Sequence, residues 1–599
     1  MMFNNIIYLI IVLLIFNIYY PDNTSEKSFL FSFAMLFLTW LIFAGYCRLG
    51  FRALQKRLNH WIRTGQNDGR PTAQYQGLIV KLSVLSIFSF ALAIYLFDLK
   101  YWLKLIPGVE QFSVLQGLLA LSLFFLYLST IWYFAHAVYK TIFRVEITRR
   151  SFILSNFRFN LPILFPWIVL SAVYDLVALS PWAEPGSLFN SVEGQIIFFA
   201  GCITLLMVFM PGVIQYWWGC KPLKASEKTG QLEAFLRDKG FKYRHLLRWP
   251  IFEGRMMTAG IMGIVPRYRY ILITDSLLEI LSTQELEAVL AHEMGHARYC
   301  HLPFYGLFFL GFMVLSFGLS DLFFYLFYAH PFSIKMFSDM DLKAVNLFYL
   351  ILSIPMLMTL LVYFRYVMGF FMRNFERQAD LYSAVIMGTC KHIISSLEKI
   401  AYLSGKSRDL PSWHHFSIRE RVEYLWRTIR HPGLIRRHNR FVAFSFAIYL
   451  FCVVGLGYFL NFSTTKQHLT YLMVGNNIAL NQNLAMIYHQ MGKYQEAIRT
   501  YERIIDMDPR QVVSLNNLAW LLVTATHEEL RNERRALDLA KKAVIMERSP
   551  VFLDTLAEAY YANGLVREAV ETIEEAITVA TENREYYKRQ LQKFLASSQ

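Results

Sequence analysis

The chain has 599 residues, 55% hydrophobic, 16% aromatic and 17% charged, with a mean hydropathy of +0.34. Soluble domains carry about 25% charged residues, so this composition excludes an ordinary water-soluble protein and requires much of the chain to face lipid. The net charge of +15 suits basic loops lying against anionic headgroups and calls for no nucleic-acid partner.

Apolar runs at roughly 5–20, 29–46, 82–98, 114–139, 161–179, 195–218, 303–328, 347–371 and 441–461 predict nine spans, since a helix needs about 20 residues to cross the hydrocarbon core. The first and third runs are short. The run 5–20 could instead be a signal-peptide core, but no small-residue cleavage site follows it at 19–22. About six spans fill an N-terminal transmembrane region, 1–218. Basic residues crowd 47–77 (Arg48, Arg52, Lys56, Arg57, Arg63, Arg70), 140–158, 219–300 and 373–440, whereas 180–194 holds none. Nine alternating spans agree with these counts if the basic loops are cytoplasmic. A multi-pass protein of a bacterial inner membrane is expected.

The segment 219–440 carries the chemistry. Ser282-Thr283-Gln284-Glu285 has the form of a capping box, which marks a helix start. Leu286, Val289 and Leu290 continue an apolar stripe at helical spacing into His292-Glu293-Met294-Gly295-His296. Histidines four apart share one helix face, so their imidazoles can converge on one Zn²⁺, and Glu293 can take a proton from a water activated there. The pattern points to peptide-bond hydrolysis. A transmembrane hairpin (303–371) interrupts the segment, and Arg373-Asn374-Phe375-Glu376-Arg377-Gln378-Ala379-Asp380 follows it. Glu376 and Asp380, also four apart, could supply one metal ligand and one group that orients a ligand. A solvated acidic pair beside Arg373 and Arg377 is the alternative. Alternation places both motif segments on the cytoplasmic side. Nine residues past His292, His301 is expected to be an ordinary structural histidine.

The six cysteines (Cys47, Cys202, Cys220, Cys300, Cys390, Cys452) show no C-x-x-C spacing, which argues against a disulfide framework or sulfur-ligated zinc. After the last span, 441–461, the composition changes. From 470 to 599 amphipathic helical periodicity replaces apolar runs. Leu484, Ala485, Tyr488, Gly492, Tyr494, Ala497, Tyr501 and Pro509 follow the tetratricopeptide pattern. A second copy spans Leu518-Ala519 to Ala543, with an insertion near 525–534, and a third runs from Leu556 through Gly564 to Ala576. Stacked helix pairs of this kind leave a concave surface for a protein partner. Alternation places them across the membrane from the metal motifs.

His292-Glu293-x-x-His296 followed by Glu376-x-x-x-Asp380 resembles the integral-membrane zinc metalloproteases of the HtpX and CAAX prenyl protease family. Arg255 through Tyr270-Ile271-Leu272-Ile273-Thr274-Asp275-Ser276-Leu277-Leu278 resembles the strand and turn before that family's zinc helix. His415-Phe416-Ser417-Ile418-Arg419-Glu420-Arg421 resembles its late His-Pro-x-x-x-x-Arg segment. The resemblance covers about 220–440. It implies one Zn²⁺ per chain on His292, His296 and Glu376, with Glu293 as base, Asp380 orienting a ligand, and His415 and Arg421 near the cleft; as catalytic residues, His415 or Arg421 could stabilise the tetrahedral oxyanion. Two positions depart from the family: Thr258-Ala259 stands where Asn-Ala is usual, and Phe416 where proline is usual. His414 could take the place of His415.

The expected architecture is therefore mainly α: a polytopic membrane protein with a gluzincin-type zinc protease domain of small sheet plus helices, and a C-terminal α-solenoid of tetratricopeptide repeats. The expected function is zinc-dependent cleavage of membrane or membrane-associated proteins, with the strand at 269–274 aligning an extended substrate and the repeats recruiting partners or substrates. The alternative is a membrane scaffold with a vestigial zinc site.

Overall fold

The computed structural model describes residues 2–19, 27–64, 71–143, 145–180, 192–250, 257–328, 342–404, 408–409, 411–462, 475–490, 493–525, 528–580 and 583–596. Arg70, Arg255 and Gly492, named above, lie outside them. The chain separates into two compact units, 1–323 with 341–463 and 464–599 with 324–340.

The second unit contains three helix pairs and a closing helix: Ile478–Gln490 with Tyr494–Met507, Val512–Thr524 with Glu533–Met546, Pro550–Ala562 with Val566–Val579, and Arg584–Ala596. Ala485, Ala497, Ala519, Ala536, Ala540, Ala557, Ala569 and Ala576 are all fully buried. A methyl group at each crossing lets paired backbones approach, which is why the repeat specifies small residues there. A short 3₁₀ turn, Glu528–Leu530, lies within the insertion of the middle copy.

In the first unit, eight described helices are long and apolar enough to cross a membrane: Phe29–Thr64, Pro71–Tyr95, Ser113–Phe143, Arg149–Ala178, Glu193–Trp217, His301–Phe324, Leu350–Ile386 and Gly433–Asn461. The remaining run, 5–20, falls in a helix of 17 residues, Met2–Ile18. At 1.5 Å per residue it is about 25 Å long, short of a roughly 30 Å hydrocarbon core. Its Leu9, Val12 and Phe16 are buried in the same apolar cluster as Phe43, Phe90 and Phe124.

Four short strands make one sheet in the order β1-β2-β4-β3, where β1 is Lys221–Pro222, β2 His245–Arg248, β3 Ala259–Met262 and β4 Tyr270–Ile273. β2 and β4 are parallel, while β3 runs antiparallel to β4, pairing Gly260 with Leu272. All four residues of β4 are buried. Ile271 and Ile273 pack with Leu286, Leu290 and Met294, and Tyr270 and Leu272 pack with Phe159, Leu247 and Trp249. This corrects the expectation for 269–274: with a neighbour on each side, β4 has no free edge for a substrate. Among the described residues the edge strands are β1 and β3, and β3 is the one that lines the cavity with the motif helix.

Two helices position the motifs. The motif helix, Thr283–Arg298, begins at the predicted capping box: the Ser282 side chain accepts from the Glu285 N–H, and Glu285 accepts from the Ser282 N–H. Glu285 also binds Lys399 at 2.7 Å and Ser395 at 2.6 Å, tying the helix start to the helix Lys391–Ser404. The carboxylate helix, Gly369–Ile386, continues the hairpin's second span through one π-helical stretch, Tyr363–Met368. It packs along the motif helix at Gly295, where an added Cβ would lie 3.0 Å from the Ala379 Cα and 3.2 Å from the Tyr382 Cβ.

Burial pushes the Glu285 carboxyl up, but Lys399, Ser395 and the Ser282 N–H outweigh it and hold the group at about 2. A carboxyl depressed in the folded state contributes stability above its unfolded value, near 4.5, and loses it as pH falls toward 2. Thermal melts of Glu285→Gln should therefore show a deficit against the parent at pH 7 that narrows steadily between pH 4.5 and 2. A deficit independent of pH would remove the charge from this account.

Candidate metal centre

Helical spacing places His292 and His296 one turn apart on the motif helix, and close packing at Gly295 brings Glu376 opposite them. Nitrogen and oxygen atoms of these three side chains all lie within 4.8 Å of one another. The His292 and His296 Nε2 atoms are 3.2 Å apart, and each is 3.5 Å from a Glu376 carboxylate oxygen. Zinc ligands at 2.0–2.1 Å in tetrahedral array are spaced by about 3.3–3.4 Å. Donor set and spacing thus fit Zn²⁺, and all three residues line one cavity.

The charged groups around this cluster are paired. His292 Nδ1 is 2.9 Å from Asp380 Oδ1, so its N–H donates to that carboxylate while Nε2 is left to face the metal position. Arg421 grips Asp380 through two bonds of 2.7 Å from Nε and Nη2, and its Nη2 lies 3.7 Å from Glu376. His415 Nδ1 is 3.2 Å from Glu376 Oε2. Two carboxylates on one helix face, Asp380 buried and Glu376 half-buried, are tolerable because a guanidinium lies between them. Burial works against the charge on Arg421, and Asp380 more than offsets it, so its pKa rises. Burial also lowers His292, but Asp380 and Glu376 prevail and push it up to about 10, whereas burial draws His296 down to about 3. Burial raises the Glu293 carboxyl to about 7, against the pull of His292 and a bond from the Ile261 backbone.

His292, Glu293, His296, Glu376, His415 and Arg421 all line one cavity of about 520 Å³. Thr258 through Ile261, at and before the edge strand β3, form one wall, and Ile393, Leu397, Ile400 and Ala401 form an apolar wall elsewhere. Thr258, at the first family departure, is held by reciprocal bonds with Thr274. His415 lines the cavity and His414 does not; the His414 ring rests on His415 at 4.2 Å. Phe416, at the second departure, stacks on the Arg377 guanidinium at 3.9 Å, with Tyr424 on Arg377 at 4.3 Å. This cation–π stack fastens the His415 loop to the carboxylate helix one residue from Glu376.

Sequence reasoning missed His301. Its Nδ1 lies 2.9 Å from His296 Nδ1, it is wholly buried, and its Nε2 is 3.0 Å from Gln378 Oε1. Helical spacing could not reveal this contact. Cys300 takes a left-handed backbone (φ 57°) between two helices and turns His301 back toward the motif.

Residues 225–443 match Peptidase family M48, and residues 482–511 match the Tetratricopeptide repeat. No curated protein matches the chain. Among solved structures, that of S. mikatae Ste24p is 17% identical, with a TM-score of 0.44 over 65% of this chain and 99% of that chain. The structure of Yeast Tom70 is 13% identical, with a TM-score of 0.20 over 92% of this chain and 96% of that chain. Likenesses this loose carry no argument. The chain combines an M48 peptidase segment, as the resemblance implied, with a tetratricopeptide repeat in a multi-pass membrane protein.

Gly295 faces backbone and Cβ atoms that cannot swing aside, so Gly295→Ala should force the two helices apart by tenths of an ångström. Zinc affinity, measured by chelator competition, should fall about tenfold or more. Unchanged affinity would mean that the helix spacing does not govern the site.

Proposed function

We propose that the chain is a membrane-embedded, zinc-dependent endopeptidase that cleaves extended segments of membrane or membrane-associated proteins. The observation that carries this reading is the spacing of His292, His296 and Glu376, with Glu293 on the same helix and lining the same cavity. His292, His296 and Glu376 would hold the ion, and Asp380 would keep the His292 Nδ1–H pointed away from it. When bound, zinc would polarise the scissile carbonyl and acidify a water.

The chain's own groups supply the rest. Glu293, half-buried and poised near neutrality, accepts a proton from the attacking water and returns it to the leaving amine. His415, close to Glu376 at the cavity wall, is placed to donate to the oxyanion that develops on the carbonyl. Arg421 acts through Asp380 and Glu376, holding both carboxylates in place. A substrate backbone would lie extended along β3, whose outer edge has no strand beside it among the described residues. Folded domains cannot offer such a segment, so loops and tails are the expected targets.

Basic loops suggest that the cavity faces the cytoplasm, and the single further span Gly433–Asn461 would carry the chain across before the repeats. There the repeats would recruit substrates or partners. A reporter fused after Gln599 should then be active only in its non-cytoplasmic form, and activity in the cytoplasmic form would refute this topology. For the chemistry, purified protein should bind one equivalent of zinc and cleave casein until a chelator is added. Glu293→Gln should keep the zinc and lose the cleavage. Full activity in that variant would remove Glu293 as the base, and zinc-free, inert parent protein would favour a scaffold.

A further inference from the structure

The two metal-facing histidines are held in chemically different ways. His292 donates to a carboxylate that Arg421 locks in place. His296 meets a second imidazole, Nδ1 to Nδ1 at 2.9 Å. Two ring nitrogens at that distance share one proton, so one ring donates and the other accepts. The His296 Nε2 lies among the metal-facing atoms, 3.2 Å from His292 Nε2 and 3.5 Å from Glu376 Oε1. A ligating nitrogen carries no hydrogen, so the proton of a neutral His296 sits on Nδ1 and His301 must accept it.

The consequences run outward without a conflict. With Nδ1 accepting, neutral His301 carries its hydrogen on Nε2 and donates to Gln378 Oε1 at 3.0 Å. The same amide then donates from Nε2 to Asn439 Oδ1 at 3.0 Å, and Asn439 donates to the Tyr299 hydroxyl at 3.2 Å. Both nitrogens of His301 are engaged, so it is not a fourth ligand. Its ring cannot turn, because it lies flat on Phe375 at 4.2 Å and 7°. The opposite polarity would put a hydrogen on His296 Nε2, aimed at the metal position.

We infer that His301 is a positioning residue: with Gln378 and Asn439 behind it, it fixes the proton of His296 on Nδ1 and aims the Nε2 lone pair at the metal. The chain of bonds joins the motif helix, the carboxylate helix and the last span, so the orientation of one ligand depends on how three helices pack. The pairing needs the left-handed turn at Cys300, a backbone state that costs a non-glycine residue free energy.

The test uses the full chain in detergent and reads metal binding rather than cleavage, so its outcome is independent of the peptidase reading. His301→Leu leaves the His296 N–H unpaired in a buried site. It should weaken zinc binding about 10–100-fold in chelator competition and shift the visible bands of the Co²⁺-loaded protein. His301→Asn offers an oxygen where Nδ1 accepts, so it should bind zinc within about threefold of the parent. If His301→Leu is insoluble, Gln378→Met serves, and the lost buried bond should weaken zinc binding roughly fivefold. Parent-like affinity and spectrum in His301→Leu, or in Gln378→Met where that variant serves, would overturn the inference. So would a loss in His301→Asn as large as in His301→Leu, which would leave only ring packing.

Discussion

Two imidazoles and a carboxylate from helices separated by a transmembrane hairpin can share one small cation only if their backbones nearly touch. That approach happens at Gly295, where a Cβ would strike the Ala379 Cα at 3.0 Å. No side chain separates the motif helix from the carboxylate helix at this crossing, so Glu376 reaches the level of the His292 and His296 rings. A wider crossing would leave the same residues as a buried ion cluster with no shared centre. The 3.2 and 3.5 Å spacings of the donor atoms follow from this contact.

Bringing the helices together gathers charge in a place with little water. Glu376, Asp380, Glu293, Arg421 and the histidines are all buried or half-buried, and an uncompensated charge there would cost several kcal/mol. The arrangement meets this with a guanidinium between two carboxylates and an imidazole N–H donated to one of them. The arrangement is electrically lopsided: His292 lies on the anionic side and His296 on the neutral side, among His301, Gln378 and Asn439.

The sheet is small because its task is small. β4 forms the buried spine that seats the motif helix, and β3, with no strand on its outer side among the described residues, lines the cavity with Glu293. Phe416 and Tyr424, clasping Arg377, fasten the His415 loop to the carboxylate helix. The departure from proline at 416 thus exchanges a stiff backbone for an aromatic contact with the carboxylate helix. The repeat unit rests on a separate principle, alanines at every crossing, and folds around its own core.

Periodicity, composition and local capping are properties of neighbouring residues, and these were legible in the chain by itself. The long apolar runs, the Ser282–Glu285 helix start, the two histidines on one face, the Glu376–Asp380 pair and the alanine pattern of the repeats could all be read there. So could the order of the segments, because a hairpin of two apolar runs must return the chain to the side it left. Contacts between residues far apart in number left no periodic trace. That β4 is interior and β3 exposed follows from which strands pair, and the strand expectation at 269–274 failed for that reason. That His415 rather than His414 faces the cavity depends on a loop fastened through Arg377. That His301 meets His296 depends on a left-handed residue at Cys300 and on the Phe375 ring beneath it. The sequence by itself determined which side chains could share a helix face. The tertiary structure decided which faces meet, because that depends on how closely whole helices pack.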